Sequence, residues 1–169
     1  MAQLSYRYFG VNLLAVEGFG NNTVMTLIAE VGRDIYKFKT AKEFTSWLRL
    51  SPNNKISGGK IVGNKTPKSK NILALALRNA ANTIDQRKEG SLKTFFARIA
   101  YRKGRSAAIT ATARKLAIIV WNMITHQKEY NPIERIRYDE LYKLNLIKKI
   151  RRAMKQLEIN GIELPLNLG

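Results

Sequence analysis

The run TPKSKNILALALRNAA, residues 66–81, decides the fold class. Thr66-Pro67 reads as a helix start with proline at the first position, where its missing N–H costs nothing. Ile72, Leu73, Leu75, Ala76, Leu77, Ala80 and Ala81 follow and leave almost no polar side in the middle of the segment. A helix that is apolar all round has to be surrounded, so this one is expected to be the central buried helix of an all-α, compact domain.

Reading toward the C-terminus adds more helices. Ser91 is placed to cap a helix carrying Leu92, Phe95, Phe96, Ile99 and Ala100, which Lys103-Gly104 stops. Ser106 opens a long helix through Ala108, Ile109, Leu116, Ile119, Val120, Met123 and Ile124. The aromatics of these two helices, Trp121 included, read as core rather than as platforms for nucleobases. Asn131-Pro132 breaks the chain. A last amphipathic helix is expected over about 138–158, with Leu141, Leu144, Ile147, Ile150, Met154 and Leu157 opposite Lys148, Lys149, Arg151 and Arg152. Asn160-Gly161 ends it.

Reading toward the N-terminus, Ser51–Lys70 (SPNNKISGGKIVGNKTPKSK) has the composition of an exposed loop. It holds Lys55, Lys60, Lys65, Lys68 and Lys70 and no acid. Thr40-Ala41-Lys42-Glu43 is a capping box that starts a short helix through Phe44, Trp47 and Leu48. Asn22 is placed to cap a helix with Val24, Leu27, Ile28 and Val31, ending at Gly32. Leu13–Val16, then Gly18-Phe19-Gly20, then that helix give a helix–hairpin–helix-like start, whose free N–H groups could accept a phosphate. A plain helical hairpin with no ligand has the same spacing.

The charge is segregated. The 169 residues carry a formal net charge of +18, with no acid between Glu43 and Asp85 and none between Glu89 and Glu129. Such an excess is costly in self-repulsion unless a polyanion offsets it, and nucleic acid is the expected partner. General basicity for solubility is the alternative. At 45% hydrophobic residues the chain is globular, not a disordered basic tail. No cysteine occurs, so thiolate metal sites and disulfides are excluded. The single histidine, His126, leaves little scope for imidazole chemistry. No apolar run reaches the roughly 20 residues of a membrane span, and Met1–Gly10 lacks the layout of a secretory signal. No membrane partner is expected. The location expected is cytoplasmic, at the nucleoid.

Two-metal nuclease chemistry needs converging carboxylates, and the acids here are scattered. No metal site and no cofactor are expected in this chain. Ser57 offers different chemistry. Gly58 and Gly59 let a phosphate approach the backbone, while Lys55 and Lys60 can offset its charge. Ser57 is therefore either a phosphate-binding hydroxyl or a nucleophile toward phosphorus. Lys65, Lys68, Lys70, Gly18, Gly20, Arg102, Lys103 and Arg105 complete the candidate DNA contacts.

Five segments together carry a resemblance: GFGNNTVMTLIAEVG at 18–32, FKTAKEFTSWLRLSP at 38–52, SGGK at 57–60, KTPKSKNILALAL at 65–77, and RKGRSAAITATARKLAIIVWNM at 102–123. In this order and spacing they resemble the C-terminal transposase domain of the IS-one-ten insertion-sequence family, over about residues 10–128. These are bacterial DNA transposases with a RuvC-like N-terminal domain, some of them guided by a bridge RNA. The resemblance implies a helical domain that binds DNA and RNA. It also implies a serine nucleophile after an "LxP" turn, here Leu50-Ser51-Pro52 followed by Ser57. Residues 1–130 would form that domain and 131–169 a helical extension. The RuvC-like domain, with its acidic tetrad and Mg2+, is absent from this sequence, and it would be a partner alongside DNA, a guide RNA and further copies in a homo-oligomer. The later motif departs from the family pattern, with Ser69 where a glycine is usual in Thr66-Pro67-Lys68-Ser69.

Overall fold

The computed structural model describes residues 1–53, 55–63, 66–67, 70–131, 144, 146–148 and 150–156. Its contacts divide into two units, Met1–Tyr130 and Asn131–Gly169. In the second, residues 144, 146–148 and 150–156 are helical. The rest of the helix expected over 138–158 lies outside the described residues.

The first unit is a helical body built from α1 (Ala2–Phe9), α2 (Asn21–Glu30), α3 (Ala41–Trp47), α4 (Ile72–Asp85), α5 (Ser91–Lys103) and α6 (Arg105–His126). Single 3-10 segments at Leu13–Ala15 and Gly32–Lys37 link the early helices. The all-α reading holds for the body. α6 lies at its centre, packed against α3, α4 and α5. Ala108, Ala113, Leu116, Ala117, Val120 and Ile124 of α6 are buried. They meet Leu73, Leu77 and Ile84 of α4, Phe44 of α3 and Phe96 of α5 in one core.

α4 is less enclosed than its sequence predicts. Leu73, Ala74, Leu77, Ala80, Ala81 and Ile84 face inward, but Ile72 and Leu75 are more than half exposed. The helix also starts at Ile72, not at Thr66-Pro67. Asn71 caps it, its side-chain oxygen accepting the Ala74 N–H at 2.9 Å. An Asx cap followed by an unbroken apolar run outcompetes the earlier Thr-Pro start. α6, in turn, is long and apolar enough to span a membrane by length and composition alone, contrary to expectation. Of its most apolar 18 residues, 44% are buried inside the body.

Other starts shift as well. Gly20, not Asn22, is the N-cap of α2. Gly90 precedes α5, and Ser91 is its first residue. The cap there comes from far away in sequence. The half-buried Glu17 carboxylate accepts the Ser91 hydroxyl at 3.2 Å, the Leu92 N–H at 3.3 Å and the Tyr130 hydroxyl at 3.1 Å. An acid at a helix N-terminus also faces the positive end of the macrodipole. Gly104 ends α5 and precedes α6, which begins at Arg105 rather than Ser106. The capping box at Thr40 is present, its hydroxyl accepting the Glu43 N–H at 3.2 Å while Glu43 accepts the Lys39 N–H at 2.8 Å.

Candidate nucleic-acid interface

The segment expected to be a plain loop contains a β-hairpin. β1 (Lys55–Ser57) pairs antiparallel with β2 (Lys60–Gly63), with Ser57 opposite Lys60 and an irregularity between Lys55 and Ile56. Gly58 and Gly59 form the two-residue turn with φ of +55° and +74°. Positive φ at both central residues is the geometry that matches strand twist, and glycine adopts it without a steric penalty. A Cβ at either glycine would meet nothing within 4 Å, so the requirement lies in the backbone alone. Ser57, Gly58, Gly59 and Lys60 are exposed.

This register gives the site its chemistry. Directly opposed residues project from one face of a hairpin with Cβ atoms about 5 Å apart. The Ser57 hydroxyl and the Lys60 stem therefore share one face at the tip. An anion at Ser57 would sit within reach of an ammonium group, with the backbone of the glycine turn beside it. Lys55 belongs to β1 by backbone, paired with Gly63. Lys65, Lys68 and Ser69 lie outside the described residues, and Lys70 is exposed beside the α4 cap. Ser51 has a structural partner, its hydroxyl 3.0 Å from that of the buried Thr45.

The other predicted contacts divide. Gly18 adopts φ +82°, and a Cβ there would approach the Ala80 carbonyl oxygen and the Ile84 side chain at 2.6 Å. Close packing on α4 accounts for that glycine. The apolar helix expected before it is a single 3-10 turn at Leu13–Ala15. Gly20 is exposed and extended as the α2 cap. Residues 14–20 and α4 nonetheless border a cleft of about 490 Å³ that Arg87 lines.

Arg105 is engaged within the body. Its Nε donates to Asp85 at 3.0 Å and one terminal nitrogen donates to Asn82 at 3.1 Å. Lys93 joins Asp85 at 3.2 Å. Burial alone would raise the Asp85 carboxyl, but the hydrogen bonds from Lys93 and Arg105 outweigh it and hold the group below its ordinary value. Arg102 and Lys103 are exposed in the last turn of α5, where the helix dipole also favours cations. His126 is tied to the end of α6, its Nδ1 3.1 Å from the Asn122 carbonyl. Among the described residues no cluster of His, Asp or Glu could hold a metal ion.

A second feature went unread in the sequence. Between α5 and α6 runs a groove of about 750 Å³. Phe95, Ile99, Ala107, Ala111 and Ile118 give it apolar walls, and Lys103, Arg114 and Lys115 line it as well. Leu50, Pro52 and Thr66 close one side, so the chain enters and leaves the hairpin segment along the groove. Among the described residues no carboxylate lines it. Only the pairing of two helices creates it, although the acid-free span from Gly90 to Lys128 foreshadowed its charge.

The fold and site thus define a small basic helical domain that displays a serine and a lysine on a glycine-turned hairpin. The chain belongs to the IS116/IS110/IS902 transposase family, whose model matches residues 11–97, more than half of it. It is 27% identical over 124 residues to a probable family 20 transposase of Pseudomonas aeruginosa, covering 71% of this chain and 36% of that protein. It is 26% identical over 125 residues to the transposase for insertion sequence element IS1111A of Coxiella burnetii, covering 69% of this chain and 33% of that one. The chain therefore spans about a third of the length of these curated relatives. No solved structure gives a significant match.

Proposed function

We propose that this domain binds DNA and presents Ser57 as the nucleophile for strand cleavage and exchange in transposition. The observation that carries the reading is the hairpin tip, where Ser57 stands exposed and opposite Lys60 across a two-glycine turn. In the proposed step the Ser57 oxygen attacks a phosphodiester. The oxygen–phosphorus bond forms, the bond from phosphorus to the departing nucleoside oxygen breaks, and that oxygen leaves and takes a proton from solvent. Lys60 offsets charge on the phosphate oxygens, and Lys55 is proposed to do the same. An unassisted serine is a weak nucleophile, so its proton must pass to a base. A carboxylate of an acidic, RuvC-like partner domain would accept it. That domain, a guide RNA and further copies of the chain would complete the assembly on nucleoid DNA.

In the rival reading the domain only binds, and Ser57 hydrogen-bonds a phosphate. Two experiments divide the readings. In DNA titrations, neutralising about six phosphates gives a slope of log K against log salt near −5, and a slope near zero removes the electrostatic basis of both. In a transposase carrying this domain with its acidic partner, Ser57→Ala should abolish the covalent protein–DNA adduct while DNA affinity stays within a few fold. An adduct that survives the substitution excludes Ser57.

A further inference from the structure

We infer that the groove between α5 and α6 holds an unpaired nucleotide of the DNA strand that serves the Ser57 hairpin. The inference rests on the proposed function but concerns a different surface. Its α6 wall lies beyond residues 11–97, the part matched by the family model.

The lining determines the ligand chemistry. A duplex offers a protein its phosphates and groove edges, and its base faces are stacked away. The half-buried Ile99 and Ile118 on the groove wall would then gain no cover. An unpaired nucleotide has both parts the groove lacks, an apolar base face and an anionic phosphate. Its base would cover the apolar wall, and its phosphate would meet Lys103, Arg114 and Lys115. The volume of about 750 Å³ lies in the range of sites that enclose small ligands.

Of the three cations, Lys115 is held in place and Arg114 lacks a partner. The Lys115 ammonium lies 4.1 Å from the centroid of the Phe95 ring, a cation–π contact that fixes it at the groove wall. Arg114 makes no hydrogen bond or ion pair with a described residue, and its Nε is buried without an acceptor. A buried donor without a partner is costly, and an anion brought by a ligand would offset that charge. The occupant is taken as DNA because Pro52 and Thr66, on either side of the hairpin segment, line the same groove. A strand lying there would leave beside Ser57.

The test uses fluorescence anisotropy on the 169-residue chain at one salt concentration. The probes are labelled oligothymidine, the RNA strand of equal length, and a duplex. Oligothymidine should bind at least as tightly as the duplex despite its lower charge density. Ala107→Phe, which fills the groove, should weaken oligothymidine binding about ten-fold and leave duplex binding unchanged. Lys103→Gln, at an exposed position, should weaken oligothymidine binding without altering the thermal melt. It guards against misfolding of the filled variant. Equal losses on single strand and duplex, or no loss on either, overturn the inference. A groove-dependent preference for the RNA strand overturns the assignment to DNA. The outcome is separable from the serine reading. If groove variants behave as expected but the adduct survives Ser57→Ala, the nucleophile is wrong and the groove stands. If the adduct depends on Ser57 but the groove variants bind normally, the reverse holds.

Discussion

α6 and the 55–63 hairpin lie in the same unit and are fixed by opposite means. α6 is held by what surrounds it. Leu116, Ala117 and Ile124 are wholly buried, and the Trp121 ring nitrogen donates to the Phe38 carbonyl at 3.1 Å. The hairpin is specified locally, by ladder pairing and by two glycines at positive φ. Its tip residues are exposed. The inward side chains of α6 are committed to packing, so their chemistry is constrained by fit. Ser57 and Lys60 carry no packing duty, which leaves them free to meet a ligand.

Substitutions can break or sharpen that contrast. The largest effect is expected for Leu116→Ala, which should cost about 2–5 kcal/mol in urea denaturation because it removes a fully buried side chain from the centre of the body. A loss under about 1 kcal/mol would mean that α6 is not the central element.

Gly59→Val tests the other side. At φ +74° a branched side chain should cost about 1–2 kcal/mol, paid locally. Hydrogen exchange should show the 55–63 ladder opening while the global midpoint stays put. An equal fall in the global midpoint would make the hairpin part of the cooperative body. Gly58→Asn should be tolerated, because asparagine accepts the turn geometry.

Glu17→Ala tests a long-range tie. Removing the acceptor for Ser91, Leu92 and Tyr130 should destabilise the body by about 1–2 kcal/mol. Replacement by Gln should recover part of the loss, since one oxygen remains as an acceptor. If Glu17→Ala leaves the melt unchanged, the cap on α5 is dispensable.

Among the destabilising substitutions Asp85→Asn should have the smallest effect, about 0.5–1 kcal/mol, discounted because Arg105 is 60% exposed. The Asp85 carboxyl is lowered in the folded state. Its stabilisation is therefore present above the ordinary aspartate range and lost as pH falls through the folded value. In acid titrations of stability the variant should show a shallower decline below about pH 4. Parallel curves would mean that Asp85 does not contribute.

The helical body was legible because helix periodicity and caps are local. Thr40 and Glu43, Lys103-Gly104 and the apolar run of α6 could all be read directly. The features that escaped depend on distant partners or on competing signals. Glu17 caps a helix that begins at Ser91, and no local pattern announces that pairing. The hairpin had its signal, Lys-Ile-Ser and Lys-Ile-Val around Gly-Gly, but the surrounding Asn, Lys and Pro gave the segment the composition of a loop. Thr66-Pro67 gave a start signal that Asn71 superseded. Ser57 was marked by its chemistry, whereas its pairing with Lys60 needed the register. The groove arises from packing α5 on α6 and has no signature in either helix alone.

The central claim is that the covalent link forms on Ser57, and peptide mapping of the trapped adduct tests it most directly. Trypsin cuts after Lys55 and Lys60 would release Ile56–Lys60, in which Ser57 is the only hydroxyl. Ser51 would fall in Leu50–Lys55 and Thr66 in Thr66–Lys68. Mass spectrometry of a nuclease-trimmed adduct from a transposase carrying this domain should find the nucleotide mass on Ile56–Lys60. The same mass on either of the other peptides, with Ile56–Lys60 unmodified, would contradict the account.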